Sequence, residues 1–205
     1  MLIHSFSTKG GSAKTALATT LASALHALRF RVALVDLDTT NGAHGGATAW
    51  SQRAMAHGRP LPFPVMKALP TKPGAFDFVV VDHPPGLTKA HNLPAGLVCI
   101  PTPLDPGSFA SALKSLDSLR NRNPAPLLVP FRVRLERSEQ RRLAGALAGP
   151  AISDRAIYAS AMGAGASIYT QGAGLLGRAS AIAEFDQLVN RILDHVGATS
   201  TTQAA

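Results

Sequence analysis

The sequence predicts an α/β fold, a mostly parallel sheet with helices on both faces. Two observations carry that expectation. The runs Arg31 to Asp36 and Phe78 to Asp82 are continuously apolar up to a closing acid, and continuous rather than alternating hydrophobicity marks strands covered on both faces. Segments with helical spacing separate such runs, which is the alternation of a sheet wound with crossover helices.

In chain order, Leu2 to Ser7 reads as a strand, Gly10-Gly11 as a loop, and the recurrence of Leu17, Leu21, Leu25 and Leu28 as a helix. Strands at 31–36 and 78–82 follow, with further strands expected at Phe63 to Leu69, Ala95 to Ile100 and Pro126 to Val133. Prolines at 64, 126 and 130 mark the first and last of these three as sheet edges. Helices are predicted over Ser108 to Arg122, Ser138 to Leu147, Asp154 to Met162 and Ser180 to Val196. No repeat or linker divides the chain, so a single domain over residues 1–196 is expected, with a disordered tail at 197–205.

Composition narrows the class. A chain of 205 residues that is 46% hydrophobic and only 16% charged is neither disordered nor a coiled coil. It lacks an apolar run of the roughly 18 residues that a membrane span needs, and its start does not resemble a secretory signal, so a cytoplasmic location is expected. The one cysteine, Cys99 in Leu97-Val98-Cys99-Ile100, reads as core packing, and the histidines show no metal-ligand spacing, so no zinc site is expected. Twenty basic against 12 acidic residues give a net charge of +8, which favours an anionic partner such as nucleic acid, anionic lipid or nucleotide. From Lys114 to Arg142 there are eight basic residues and three acidic ones, so much of the surplus lies late in the chain.

In open parallel sheets, ligands sit beyond the carboxyl ends of the strands. The glycine loop and the acids Asp36, Asp38 and Asp82 all fall at such ends. Lys9-Gly10-Gly11-Ser12-Ala13-Lys14-Thr15 lies between the first strand and first helix, where backbone N–H groups and a helix N-terminus attract phosphate. The glycines let the main chain wrap an anion, Lys14 can reach the outer phosphates, and the Thr15 hydroxyl can ligate Mg²⁺, so the natural guest is a nucleoside triphosphate. The common pattern GxxxxGK[ST] is not met, because Thr8 and Ala13 hold its two glycine positions.

The form KGGxxKT, with Lys9 five residues before Lys14, resembles the deviant Walker A motif of the ParA/MinD family of P-loop ATPases. The resemblance extends over about residues 1–190. Val35-Asp36-Leu37-Asp38 with Trp50 beyond it is similar to the segment after the family's second strand, and Asp82-His83-Pro84-Pro85 to its Walker B strand and second switch. Leu97 to Pro103 is similar to the family's fifth-strand ending. Arg155-Ala156-Ile157-Tyr158, Gly165 to Ile168 and Glu184 resemble short plasmid-type members.

What the resemblance implies is a slow ATPase using ATP and Mg²⁺, in which Lys9 reaches the phosphates of the other subunit in a nucleotide-sandwich homodimer. Asp38 would orient the attacking water, and Thr15, Asp36 and Asp82 would serve the metal. Thr39-Thr40 replaces the family's Pro-Gln and His83 its Thr, and strand six ends in Pro130-Phe131-Arg132 where the family has Asn. Relatives bind DNA nonspecifically, spread on the nucleoid and position a cargo through an adaptor of ParB type that stimulates hydrolysis. With the first strand starting at Leu2, specificity is expected to come from that adaptor. Candidate DNA contacts are Arg120, Arg122, Arg132, Arg134, Arg137, Arg141 and Arg142 and, by resemblance, Arg155 and Arg178. A MinD-like membrane positioner is the first rival, but the last helix carries Glu184, Asp186 and Asp194 rather than a basic lipid-facing stripe, so no membrane partner is expected. The others are an ATP-dependent metabolic ligase of the same wider fold and a binding module with inactive ATPase chemistry.

Overall fold

The structure, a computed structural model, describes residues 1–38, 45–72, 74–86, 93–122, 125–147 and 149–197. Its elements run β1 (Leu2–Ser5), α1 (Lys14–Ala27), β2 (Val32–Asp36), α2 (Gly46–Ala56), β3 (Val65–Met66), β4 (Phe78–Asp82), β5 (Leu97–Thr102), α3 (Pro106–Ser118), β6 (Leu127–Val133), α4 (Ser138–Ala146), β7 (Ile152–Ser153), α5 (Ala156–Gly163) and α6 (Arg178–His195). The seven strands form one sheet in the order β3-β2-β4-β1-β5-β6-β7, and every pairing is parallel.

Both faces of the sheet are covered, as continuous hydrophobicity requires. On one face Ile3, Leu34, Val80, Leu97, Cys99 and Val129 pack with Leu17, Leu21 and Leu25 of α1 and Phe185, Leu188 and Ile192 of α6. On the other, Phe6, Val98 and Ile100 meet Ala112 of α3, while Leu104 and Val133 meet Ala144 of α4. Register places Ser5, Asp82 and Asp36 level with one another, because Asp82 pairs with Ser5 on one side and Asp36 on the other. The polar strand ends therefore share one edge.

Three expectations are corrected. The strand at 63–69 shrinks to Val65–Met66, which is the β3 edge. β6 is not an edge despite its prolines. Pro130 lies opposite Thr102 of β5, and the two-residue β7 adds beyond it through an irregular register between Phe131 and Val133, an interruption of the kind that lets a strand poor in donors stay inside a sheet. The helix expected at 108–122 starts earlier and stops earlier. Asp105 caps it by accepting from the Ser108 N–H at 2.9 Å, and Pro106 opens its first turn, the ordinary Asp-Pro start signal. The tail from residue 198 onward lies outside the described residues.

Candidate nucleotide site

The chain leaves β1 at Ser5 and is tied on both sides before it reaches the glycine loop. The Ser5 hydroxyl donates to the Lys14 carbonyl at 2.9 Å, Thr8 Oγ1 meets Ser111 Oγ at 2.8 Å, and Ser12 Oγ donates to the Lys9 carbonyl at 3.1 Å. Gly11 takes φ +73° and Ala13 φ +66°, the left-handed region that glycine occupies freely and alanine only at a cost. Ala13 thus holds a backbone conformation of the kind that glycine favours. From there α1 begins, with Leu17 N–H donating to the Ala13 carbonyl at 2.9 Å.

Gly10, Gly11, Ser12, Ala13, Lys14 and Thr15 line a cavity of about 260 Å³ with Asp38 and Pro85. The glycine loop and the segments that follow β2 and β4 therefore meet at one cavity. Lys14 is 6% exposed, and its Nζ donates to the Lys9 carbonyl at 3.3 Å. Burial holds its ammonium below the usual lysine range, opposed by the charges of Asp82 and Asp38. Asp82 is fully buried, and neither carboxylate oxygen has a hydrogen-bond partner. Burial pushes its carboxyl up to about 7; the nearby Thr15 hydroxyl and the Lys14 charge pull the other way, while Asp36 and Asp38 add to the rise. A buried carboxylate without a partner beside a threonine hydroxyl fits a hard divalent cation such as Mg²⁺, which takes oxygen ligands.

Asp36 is differently employed. Its Oδ2 accepts from the Thr48 N–H at 2.7 Å and its Oδ1 from the Asp38 N–H at 3.2 Å, so it caps α2 from the end of β2. Gly46 must be glycine there, since a Cβ would lie 2.9 Å from Asp36 Oδ2. Thr39-Thr40 falls outside the described residues.

Lys9 rests within its own chain. Its Nζ donates to Ser108 Oγ at 2.9 Å and lies 3.9 Å from Asp105 Oδ1, with about half of each side chain exposed. Sequence reasoning missed this cradle on α3. Its signal was Ser108, Ser111 and Ser115, spaced to share one helix face. It also missed the buried contact of His4 Nδ1 with His83 Nε2 at 2.9 Å, which joins β1 to the residue after Asp82.

The nine candidate DNA arginines divide by occupation. Arg122 caps the carbonyls of Leu93 and Pro94, Arg178 those of Ile168 and Tyr169, and Arg141 those of Leu135 and Glu136. Arg155 pairs with Glu184, which also accepts from the Ser153 N–H and hydroxyl. Arg120 makes an exposed pair with Asp117 at 3.4 Å. Arg132 and Arg134 share Asp154 at 3.1 and 3.0 Å, while Arg137 and Arg142 are exposed.

With this geometry in place, comparison decides the family. Residues 3–120 match the CbiA family, described as the CobQ/CobB/MinD/ParA nucleotide binding domain. The chain belongs to this family. No curated protein matches it in sequence. Among solved structures it is similar to a plasmid partition protein from Borrelia burgdorferi bound to AMPPNP, at 15% identity and a TM-score of 0.68, covering 93% of this chain and 99% of that one. It is also similar to McdA from Cyanothece in an ATP complex, at 15% identity and a TM-score of 0.61 over 98% of each chain. Cobyrinic acid a,c-diamide synthase from Mycobacterium smegmatis with ADP and magnesium has 18% identity and a TM-score of 0.56, covering 96% of this chain and 95% of that one. At these identities the likenesses show the shared α/β P-loop NTPase fold. No helix among the described residues is long and apolar enough to cross a membrane.

Proposed function

We propose that this member of the family is a ParA-type ATPase that uses ATP and Mg²⁺, forms a nucleotide-sandwich homodimer, binds DNA without sequence preference and positions a cargo with an adaptor that stimulates hydrolysis. The observation that carries the reading is a nearly buried Lys14 in the glycine-loop cavity, close enough to feel the charge of a buried Asp82 whose oxygens have no hydrogen-bond partner. The backbone of Gly10 to Thr15 and the Lys14 ammonium hold the phosphates. Thr15 and Asp82 would hold the metal, whose charge neutralises the phosphates when bound. Asp36 supports this set by fixing the end of β2, and Asp38, facing the cavity, orients the attacking water. Phosphoryl transfer asks for positioning and charge neutralisation more than covalent chemistry, so few side chains suffice for slow turnover. Lys9 completes the charge only by leaving its cradle on α3 for the partner protomer's phosphates, and its half-exposed ion pair with Asp105 is cheap to give up.

The plasmid partition protein among the similar structures supports the cargo-positioning reading, and the basic surplus between Lys114 and Arg142 supports DNA as its track. The test is nucleotide binding, dimerisation and turnover in two variants. Lys14→Ala is expected to abolish nucleotide binding. Lys9→Ala is expected to keep binding and lose dimerisation or hydrolysis; Lys9→Ala dimers that turn over ATP as the wild type does would rule out the trans role.

A further inference from the structure

We propose that the end of the molecule remote from the phosphate loop holds a second binding site, a pocket for a small organic anion with a flat apolar body, such as an aromatic carboxylate. A cavity of about 370 Å³ lies where the end of α1, with Ser23, His26 and then Arg29, meets Phe63 and the turn at 167–171. α1 carries Lys14 as its first residue and His26 in its last turn, and a helix of this length spans about 20 Å. Phe63 stands just before Val65, which pairs with Leu34 of β2, so it belongs to the edge where the strands start. The cavity is therefore separate from the glycine loop and from the strand-end edge that the proposed homodimer covers.

Arg29 is the residue that sets the site apart. α1 ends with the Phe30 N–H donating to the Leu25 carbonyl at 3.2 Å and the Arg29 N–H to the His26 carbonyl at 2.9 Å. Arg29 takes φ +70° at that bend, where helices usually place glycine. A residue bearing Cβ is strained there, and such strain clusters at functional positions. The exposed Arg29 side chain lines the cavity and makes no hydrogen bond or ion pair among the described residues.

The walls are already built. Phe63 is buried, its ring centroid 5.8 Å from that of His26 and 6.3 Å from that of Trp50. The turn at 167–171 is locked by the Ser167 N–H on Thr170 Oγ1 and the Tyr169 N–H on Ser167 Oγ, both at 3.0 Å, and by Arg178 Nε on the Ile168 carbonyl at 2.6 Å. A pre-formed concavity of this size with an apolar side and a few polar groups suits a small ligand.

Charge selects the ligand's class. Among the described residues no carboxylate lines the cavity, and the always-charged guanidinium of Arg29 matches a carboxylate with a pair of parallel bonds. Free carbonyls at a helix end would attract a cation instead, but those of Ala24, Leu25 and His26 already accept from the N–H groups of Leu28, Phe30 and Arg29. Leu61, Pro62 and Phe63 supply the apolar side, against which a flat ring would lie with its carboxylate toward Arg29.

The test is an NMR titration of the isotope-labelled full chain in ADP and Mg²⁺, with indole-3-propionate as the anionic probe and tryptamine as its cationic counterpart. Indole-3-propionate should move the amide signals of Arg29, Phe63 and Tyr169 with a Kd of about 1 mM or below, and tryptamine should bind roughly tenfold more weakly or worse. Arg29→Gly should weaken indole-3-propionate binding roughly tenfold or more while Tm stays equal or rises, because glycine relieves the bend. A residue with a merely structural role would do the reverse, lowering Tm and sparing the affinity. Arg29→Lys should keep binding within about fivefold of wild type, and Lys67→Gln, which removes an equal charge elsewhere, should leave it unchanged. No binding of indole-3-propionate, equal binding of tryptamine, or an unaltered affinity in Arg29→Gly overturns the proposal. So does binding that vanishes when ADP is added, since the probe would then occupy the glycine loop. A chain that fails to bind ADP overturns the nucleotide reading instead, and the same titration still decides this one.

Discussion

Ala13 tests the phosphate loop most directly, because its conformation is costly for the residue that holds it. At φ +66° and ψ +26°, a side chain bearing Cβ sacrifices about 1–2 kcal/mol. Ala13→Gly removes that strain. Against the gain stand about 0.5–1 kcal/mol from the looser unfolded chain and less than about 0.8 kcal/mol for a half-buried methyl packed against the core. The terms nearly cancel, so stability should stay within about 1 kcal/mol of wild type. Ala18→Gly is the control. Ala18 is fully buried inside α1 with no strain to relieve, so it should lose about 1 kcal/mol of helix propensity and about 0.8 kcal/mol of burial. The two variants should differ by roughly 2 kcal/mol, or about 4–8 °C in Tm for a chain of this size. Ala13→Val, β-branched at positive φ, should fall furthest, since that backbone region is an outlier for such residues. Thermal unfolding of the three proteins, with ADP titration calorimetry to confirm the loop, settles the matter. If Ala13→Gly is as damaging as Ala18→Gly, Ala13 is not left-handed and the loop does not have the glycine-type backbone assigned to it.

Two further outcomes follow from the packing. Burial, with the Arg122 charge second, lowers His4 from 6.5 to about 4, so the folded state resists a proton that the unfolded chain accepts. Stability is full above pH 6.5 and should fall by up to about 3 kcal/mol as the pH drops toward 4; urea unfolding across that window checks it, and His4→Phe should flatten the limb. Gly165 has φ +61°, and a Cβ there would lie 2.2 Å from the Ala54 nitrogen and 2.5 Å from the Arg53 carbonyl carbon, whereas Gly172 at φ +69° has open space around it. Gly165→Ala should therefore cost about 3–5 kcal/mol and Gly172→Ala about 1–2 kcal/mol; equal losses in Tm would show that α2 does not press on residue 165.

The parallel sheet was legible because its signal is local: Val32 to Asp36 and Phe78 to Asp82 are apolar without interruption and buried throughout. The loop was legible because phosphate binding needs consecutive residues. Elements fixed from a distance were not. α2 has the sequence GATAWSQRAMA, and its buried positions are Ala47, Ala49, Trp50 and Ala54, too small as a set to stand out as an apolar stripe. Its start is set by Asp36, a dozen residues earlier, and its place by Trp50 Nε1 donating to the Ala166 carbonyl at 2.9 Å. β7 is two residues long and exists only because β6 offers it an edge. Asp36, Asp38 and Asp82 look alike in sequence, each at or near the end of a strand. Their surroundings divide them into a helix cap, a cavity wall and an unpartnered carboxylate, and no spacing rule distinguishes those three.

That division gives the site a stiff side and a soft side. On the stiff side, Asp36 spends both oxygens on backbone N–H groups, and α2 is fastened again by Trp50 and by Arg53 Nε on the Met162 carbonyl at 3.1 Å. Charge-assisted hydrogen bonds of this kind are worth about 1.5–3 kcal/mol each, and a buried indole adds more. The end of β2, α2 and the segment from Met162 to Ala166 must then move together or not at all. On the soft side, Lys9 is held to α3 by the hydroxyl of buried Ser108 and by one distant, half-exposed carboxylate, and an exposed ion pair of this kind contributes at most about 1 kcal/mol. In the proposed dimer, the partner protomer's triphosphate would offer Lys9 a larger charge than Asp105 does. On the function proposed above, rearrangement would therefore begin at Lys9 and the N-terminus of α3, while the end of β2 and α2 keep their places.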